Sequence, residues 1–240
     1  QCNTSGFGGR GMTKAEADSL VKSDPNIVIQ TNETTSNSPV QFNVTKPPFN
    51  DIRVRQAAAL LFDQNKLIQL AGDGYYKDYM GNVNLQWSLP LDQLKKMPIY
   101  AGVTQADVAK AKALLTEAGY PNGLDLEYIM ADRYATGLPV SSTGKMNLLM
   151  EGGLFRFTSK VLQYPTVWTP TVRGGNFLIT DGAIIKPVYD PVFQLSLYIL
   201  GDVENTMGLN DPQVNSLYQQ VMTTVDPVKR KQVTDHLHLR

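Results

Sequence analysis

The residues able to do chemistry are few and badly placed for catalysis. The two histidines, His236 and His238, stand in the last five residues. A spacing of two puts them on different sides of a helix, so they make neither a zinc helix nor part of a nucleophilic triad. They read as a solvated helix end. Cys2 has no histidine or basic neighbour to lower its pKa and reads as a free thiol rather than a lipid-anchor site. The carboxylate pairs Asp125/Glu127 and Asp202/Glu204 fall in a strand and a loop and are expected to face solvent, not to act as an acid/base pair. Gly6, Gly8 and Gly9 follow no strand and precede no Lys-Ser/Thr, so they form no nucleotide loop. What remains is binding chemistry. Tyr75 to Tyr100 is aromatic-rich, with Trp87 at its centre. It is either a loop packed over the core or a wall of a ligand cleft, where aromatic faces hold sugars or peptide side chains. The segment Asp181-Gly182-Ala183-Ile184-Ile185-Lys186-Pro187-Val188-Tyr189-Asp190-Pro191 leaves the C-terminal end of an expected strand, where α/β sheets place ligands.

Bulk composition narrows the class. The 240 residues carry 22 Lys+Arg and 22 Asp+Glu, for a formal net charge of zero. That balance argues against a nucleic-acid footprint or an anionic-membrane patch. Hydrophobic content of 42% is ordinary for a globular chain with ample core. No apolar run is long enough to span a bilayer, and one cysteine excludes an internal disulfide framework.

Several elements must position any site. Lys46-Pro47-Pro48 cannot run a strand directly into a helix, because each proline pushes its predecessor out of the α region. Asn50 or Asp51 can cap the next helix, whose buried stripe is Val54, Ala57, Ala58 and Leu61. Asp63 is a second cap, for a continuation through Leu67, Ile68 and Leu70. A helix is expected from Thr13 to Val21. Strands are expected at Ile27 to Ile29 and Val40 to Val44. Thr104 caps a helix to Ala118, with Ala106, Ala109, Ala113, Leu114 and Ala118 inward. Gly119 stops it, Tyr120-Pro121-Asn122-Gly123 turns, and Leu124 to Ile129 alternates as a strand. Lys145 to Leu154 is a helix candidate, Lys160 to Tyr164 and Gly174 to Ile179 are strands, and Asp211-Pro212 and Asp226-Pro227 open two helices. Helix, turn and strand in this order build an α/β lobe.

The wording of two blocks goes further than the pattern. Phe42-Asn43-Val44-Thr45-Lys46-Pro47-Pro48-Phe49-Asn50-Asp51-Ile52-Arg53-Val54-Arg55-Gln56-Ala57 closely resembles the signature of family 5 extracellular solute-binding proteins, which serve peptide/nickel (oligopeptide-type) ABC importers. Ala109 to Leu124, with Leu114-Leu115-Thr116-Glu117-Ala118-Gly119-Tyr120-Pro121, looks like that family's "Leu-Leu-Glu-Ala-Gly-Tyr-Pro-Gly" segment. The resemblance implies α/β architecture: a type II periplasmic-binding-protein-like lobe with a mixed sheet flanked by helices. Full members are about twice as long and have two lobes around a hinge. Residues 1–45 are therefore expected to be a hinge-proximal segment with part of the first-lobe connection. Residues 46–240 are expected to be the second, C-terminal lobe, incomplete at its end.

The resemblance also supplies a functional expectation. The chain would be the substrate-binding component of an ABC importer, without catalysis and without a cofactor or metal. Its partners would be a small solute (a peptide or an oligosaccharide) and the permease subunits in the membrane, with no nucleic acid, and it would be a monomer. Its location would be periplasmic or extracellular, with lipid anchoring of the full-length protein as the lipoprotein variant. In relatives the strand before Tyr134 leads into a cleft loop, and Pro165 to Val172 resembles a short helix whose aromatic would be Trp168. Tyr189-Asp190-Pro191 matches the end of the ligand-loop motif. In peptide binders an aspartate of this loop grips the α-amino group; in nickel-type binders an aromatic makes the contact. Here the upstream tryptophan is replaced by Ile184 or Ile185, and Lys186 or Pro187 stands where that aspartate would be. The expected ligand contacts are Trp87, Tyr134, Trp168, Asp181, Ile185, Tyr189 and Asp190. Core packing is the competing role for Trp168 and Tyr189. A ligand-sensing or chaperone-like module on the same fold is the alternative. A secreted hydrolase would need a converging nucleophile or carboxylate set.

Overall fold

The computed structural model describes residues 14–30, 40–66, 86–97, 100–132, 146–147, 149–181 and 190–238. Its centre is a four-stranded mixed sheet of β1 (Val40–Phe42), β2 (Leu124–Ala131), β3 (Phe155–Leu162) and β4 (Ile179–Asp181), in the order β1-β4-β2-β3. β2 runs parallel to both β3 and β4, and β1 is antiparallel to β4. The strand that precedes Lys46 thus shares one sheet with the strands that follow it.

β2 shows why both faces are covered. Leu124, Leu126, Tyr128 and Met130 point into the main core with Phe155, Phe157 and Ile179. Ile129 points the other way, onto Val172 and Phe177. The first half of β2 alternates buried and exposed, and the second half is buried throughout, as expected where helices pack on both faces of a parallel sheet. At the exposed positions Asp125 pairs with Arg156 at 2.7 Å, and Glu127 lies 3.8 Å from Lys160. These are surface ion pairs across neighbouring parallel strands, worth little individually.

The helices are α1 (Lys14–Ser23), α2 (Ile52–Leu61), α3 (Leu91–Leu94), α4 (Gln105–Glu117), α5 (Trp168–Arg173), α6 (Pro191–Leu195), α7 (Pro212–Thr223) and α8 (Pro227–His238). Val54, Ala57, Ala58 and Leu61 of α2 are buried, as their spacing predicts, and pack beside Ala111 and Leu115 of α4. Asp51 is the cap: its carboxylate accepts from the Arg53 backbone N–H at 2.8 Å. The Arg53 side chain binds that carboxylate and also donates to the Glu117 carbonyl at 2.8 Å, fastening the start of α2 to the end of α4. Asp63 accepts from the Lys66 N–H and opens a further helical turn at 64–66. The continuation through Leu67 to Leu70 lies outside the described residues.

Asp51 gives the stability–pH profile a definite sign. The Arg53 side-chain hydrogen bond, then the Arg53 backbone N–H, hold its carboxyl below the ordinary value of 3.8. A group lowered by folding stabilises the native state above its unfolded value, and that contribution disappears as pH falls through the folded value. In acid titrations followed by circular dichroism, Asp51→Asn should lose stability at neutral pH yet show a shallower loss below about pH 4.

Six local expectations are corrected. Ile27 to Ile29 is not a strand: it pairs with nothing among the described residues, and Val28 is 88% exposed. β1 stops at Phe42, because Asn43 and Val44 turn their N–H groups to the carbonyls of Leu178 and Met207. β3 starts at Phe155, not Lys160; Phe155-Arg156-Phe157-Thr158 carries the alternation that marks it. β4 starts at Ile179, because Gly174 to Asn176 is a turn closing α5. In α4 Leu114 and Ala118 pack inward as expected, joined by Val108, Ala111 and Leu115, while Ala106, Ala109 and Ala113 face solvent. Within Lys145 to Leu154, Glu151–Gly153 is a short 3-10 turn rather than α-helix.

Candidate ligand-binding site

The C-terminal ends of β2, β3 and β4 release the chain on one side of the sheet, and most of the expected contacts follow those exits. Asp181 is the last residue of β4. Tyr134, Ile185 and Tyr189 lie outside the described residues. Trp168 opens α5, just beyond β3. Its half-buried ring packs on the cluster of Ile129, Val172 and Phe177 and tilts against Tyr164 at 5.9 Å. The Tyr164 N–H donates to Asp132, at the end of β2, at 3.0 Å. Trp168 is thereby held at the rim formed by the ends of two strands.

Trp87 and Asp190 are brought together on a different support. α6, α7 and α8 enclose Leu195, Ile199, Val214, Tyr218 and Leu237, and Trp87 packs against this cluster. Asp190 caps α6, accepting from the Val192 N–H at 2.9 Å, with Pro191 at the first helical position. Both Asp190 carboxylate oxygens also accept from Arg230 of α8, at 2.7 and 2.8 Å. The same guanidinium lies over the Trp87 ring, 5.4 Å from its centroid, and donates through Nε to the Val221 carbonyl at the end of α7. Tyr218 donates its hydroxyl to the Val192 carbonyl at 3.2 Å. Burial, followed by the Asp202 and Asp190 carboxylates, pushes the Tyr218 phenol up; burial alone pushes up that of Tyr198. Both phenols are neutral at physiological pH.

Arg230 is the residue that sequence reasoning missed. Its signal is faint but physical. Arg230, Thr234 and Leu237 form the inward stripe of α8, with Thr234 and Leu237 buried. A cation on a buried stripe needs an acid on a neighbouring element, but the stripe does not say which acid. A groove of about 470 Å³ also lies between α2 and α4, lined mainly by Leu60, Phe62, Met97, Val103 and Leu114. None of the described candidate contacts lines it. Among the described residues, no three His, Cys, Asp or Glu side chains gather to hold a metal ion, and no helix is long and apolar enough to cross a membrane.

Residues 11–148 match the model of the bacterial extracellular solute-binding proteins, family 5, middle region. Over 137 residues the chain is 27% identical to the glutathione-binding protein GsiB of Shigella flexneri serotype 5b, covering 57% of this chain and 26% of that protein. It is 29% identical over 109 residues to heme-binding protein A of Haemophilus influenzae, covering 45% of this chain and 18% of that one. Among solved structures it is similar to Haemophilus influenzae OppA in complex with RPPGFSPFR, with a TM-score of 0.72 and 16% identity over 96% of this chain and 45% of the other. It is also similar to Helicobacter pylori DppA in complex with the peptide STSA, with a TM-score of 0.69 and 17% identity over 96% and 44%. At those identities the likeness establishes the fold, a type II periplasmic binding protein lobe. The chain spans less than half the length of these relatives.

Proposed function

Because the chain belongs to the bacterial extracellular solute-binding proteins of family 5, we propose that it forms one wall of a ligand cleft. Residues 46–240 act as the second lobe, and residues 1–45 lead in from the hinge. The protein captures a small peptide outside the cytoplasmic membrane and presents it to the permease of an ABC importer, without catalysis. Binding closes two lobes over the ligand, and the closed form docks on the permease subunits. The observation that carries this reading is the family match through the Asn43 to Ala57 signature, on a lobe whose parallel strands β2, β3 and β4 all end on one side of the sheet. Trp87, Tyr134, Trp168, Ile185 and Tyr189 supply apolar and aromatic contact in this reading. Asp181 supplies the charge available to a peptide amine, because the Asp190 carboxylate is engaged by Arg230. An oligosaccharide is the second ligand class, since aromatic faces also stack on sugar rings. The protein works as a monomer and, in its lipoprotein form, is held at the membrane surface.

Thermal unfolding with added solutes tests the reading. A peptide present at about 100 times its Kd stabilises the bound state by about 2.7 kcal/mol, which raises Tm by roughly 5–10 °C for a chain of this size. Glutathione, tri-alanine and tetrapeptides should include at least one that produces the shift. A shift with maltotriose and none with peptides would replace the peptide by a sugar. No shift with any of them at millimolar concentration would overturn solute capture by this chain.

A further inference from the structure

We propose that Arg230 is a positioning residue: it holds the Trp87 ring and the Asp190 carboxylate, two of the expected ligand contacts, in one fixed arrangement. The inference rests on the binding role proposed above. It concerns a residue on the far helix that no motif singles out.

Three features carry it. The guanidinium is directed on three sides: two donors go to the two Asp190 oxygens, Nε goes to the Val221 carbonyl, and one face covers Trp87. A planar fork with a stacking face can do all of this at once, and a lysine ammonium cannot. The cluster is also sheltered. The Arg230 side chain is 19% exposed and that of Asp190 32%, so the pair is screened less than a surface bridge. Finally, the three residues come from three separate stretches of chain, and Asp190 and Arg230 are 40 positions apart. Asp190 already has one structural duty, capping α6 through the Val192 N–H. A bidentate arginine adds orientation to that cap, and its free face sets the tilt of Trp87. Arg230 therefore fixes where an aromatic wall stands relative to the end of the ligand segment, and it does so without touching the ligand. A site whose walls are preset in this way loses less freedom on binding.

The test uses the two tryptophans of the sequence. In a Trp168→Phe background Trp87 is the only indole emitter, so acrylamide quenching reports on its cover directly. Arg230→Met should raise the quenching constant about twofold, since the ring loses its covering cation. Arg230→Lys should restore less than half of the protection. Asp190→Asn should expose Trp87 from the other side, and the double variant should add little to either single change, as members of one network do. In the Trp168-containing protein, Arg230→Lys should weaken tri-alanine or glutathione binding, whichever shifts Tm, by about tenfold. If quenching is unchanged in Arg230→Met, the apolar cluster alone holds Trp87 and the proposal falls. If quenching rises but peptide affinity does not move, Arg230 is a packing residue only, and the proposal again falls. If no peptide binds the parent protein, the peptide reading fails, and quenching still decides whether Arg230 sets the ring. Should Arg230→Met not fold, Arg230→Lys and Asp190→Asn give the same discrimination.

Discussion

Replacing Phe49 by alanine should cost about 3–5 kcal/mol of folding stability. Phe49 is fully buried, and its ring stacks on Phe42 with centroids 4.4 Å apart and planes 12° from parallel. Phe42 ends β1, and Phe49 lies just before the Asp51 cap of α2. The pair therefore joins the sheet to the helix layer across the Lys46-Pro47-Pro48 turn. Arg55 donates to the Phe49 carbonyl at 2.6 Å, so the backbone at this point is held as well as the ring. Deleting the ring leaves a void that a doubly anchored segment cannot collapse around, which places the cost at the upper end of such substitutions. Domains of this size have about 5–15 kcal/mol in total, so Tm should fall by roughly 10 °C or more. Phe49→Leu should recover more than half of the loss. A urea midpoint in Phe49→Ala within experimental error of the parent would mean that the stack contributes nothing.

Gly123→Ala should be the other severe substitution, at about 2–4 kcal/mol. Gly123 ends the Tyr120-Pro121-Asn122 turn with φ at +78°, a conformation that costs an L-residue about 1–2 kcal/mol by itself. A Cβ there would lie 2.4 Å from the Leu154 carbonyl oxygen. That carbonyl is backbone and already accepts from the Leu124 N–H at 2.8 Å, the bond that starts the β2–β3 pairing. Strain and a lost strand hydrogen bond therefore add. Gly119→Ala is the control. Its φ is also positive, at +93°, but a Cβ there meets nothing within 4 Å. It should cost only the backbone strain, about 1–2 kcal/mol. Equal losses at the two positions would show that the Leu154 contact does not matter.

Legibility in the sequence followed contrast between neighbouring side chains. The α2 stripe was plain because Val54, Ala57, Ala58 and Leu61 are set off by Arg53, Arg55 and Gln56. The caps Thr104 and Asp211 were plain, and that of α2 was narrowed to Asn50 or Asp51, because short polar side chains before an apolar run have a specific hydrogen-bonding role. In α4 the alanines carry little contrast, so Ala106, Ala109 and Ala113 were wrongly placed inward, Ala118 and Leu114 correctly, and the anchors Ala111 and Leu115 were overlooked. Ile27 to Ile29 has strand-forming side chains but no partner strand among the described residues, and a strand is stabilised by its neighbours more than by its own propensity. For the site, the aromatic content and the strand exits were visible, because both are local. The Arg230–Asp190 pair was not. It depends on how α8 crosses α6, which is set by the apolar cluster beneath them and by nothing written near either residue.

The position of β1 in the sheet has a consequence for biosynthesis. Among the described residues β1 pairs only with β4, and Asn43, just after it, donates to the Gly175 carbonyl 132 positions further along. At about 5–20 residues per second, a ribosome delivers β4 on the order of ten seconds after β1. Throughout that interval β1 waits for β4, so this edge of the sheet closes late. An unpaired strand edge is an aggregation hazard, yet this one is only three residues long with a glutamine at its centre. The nascent chain thus carries β1 as a short, partly polar stub, and the Phe155–Leu162 strand is made with β2 already waiting beside it.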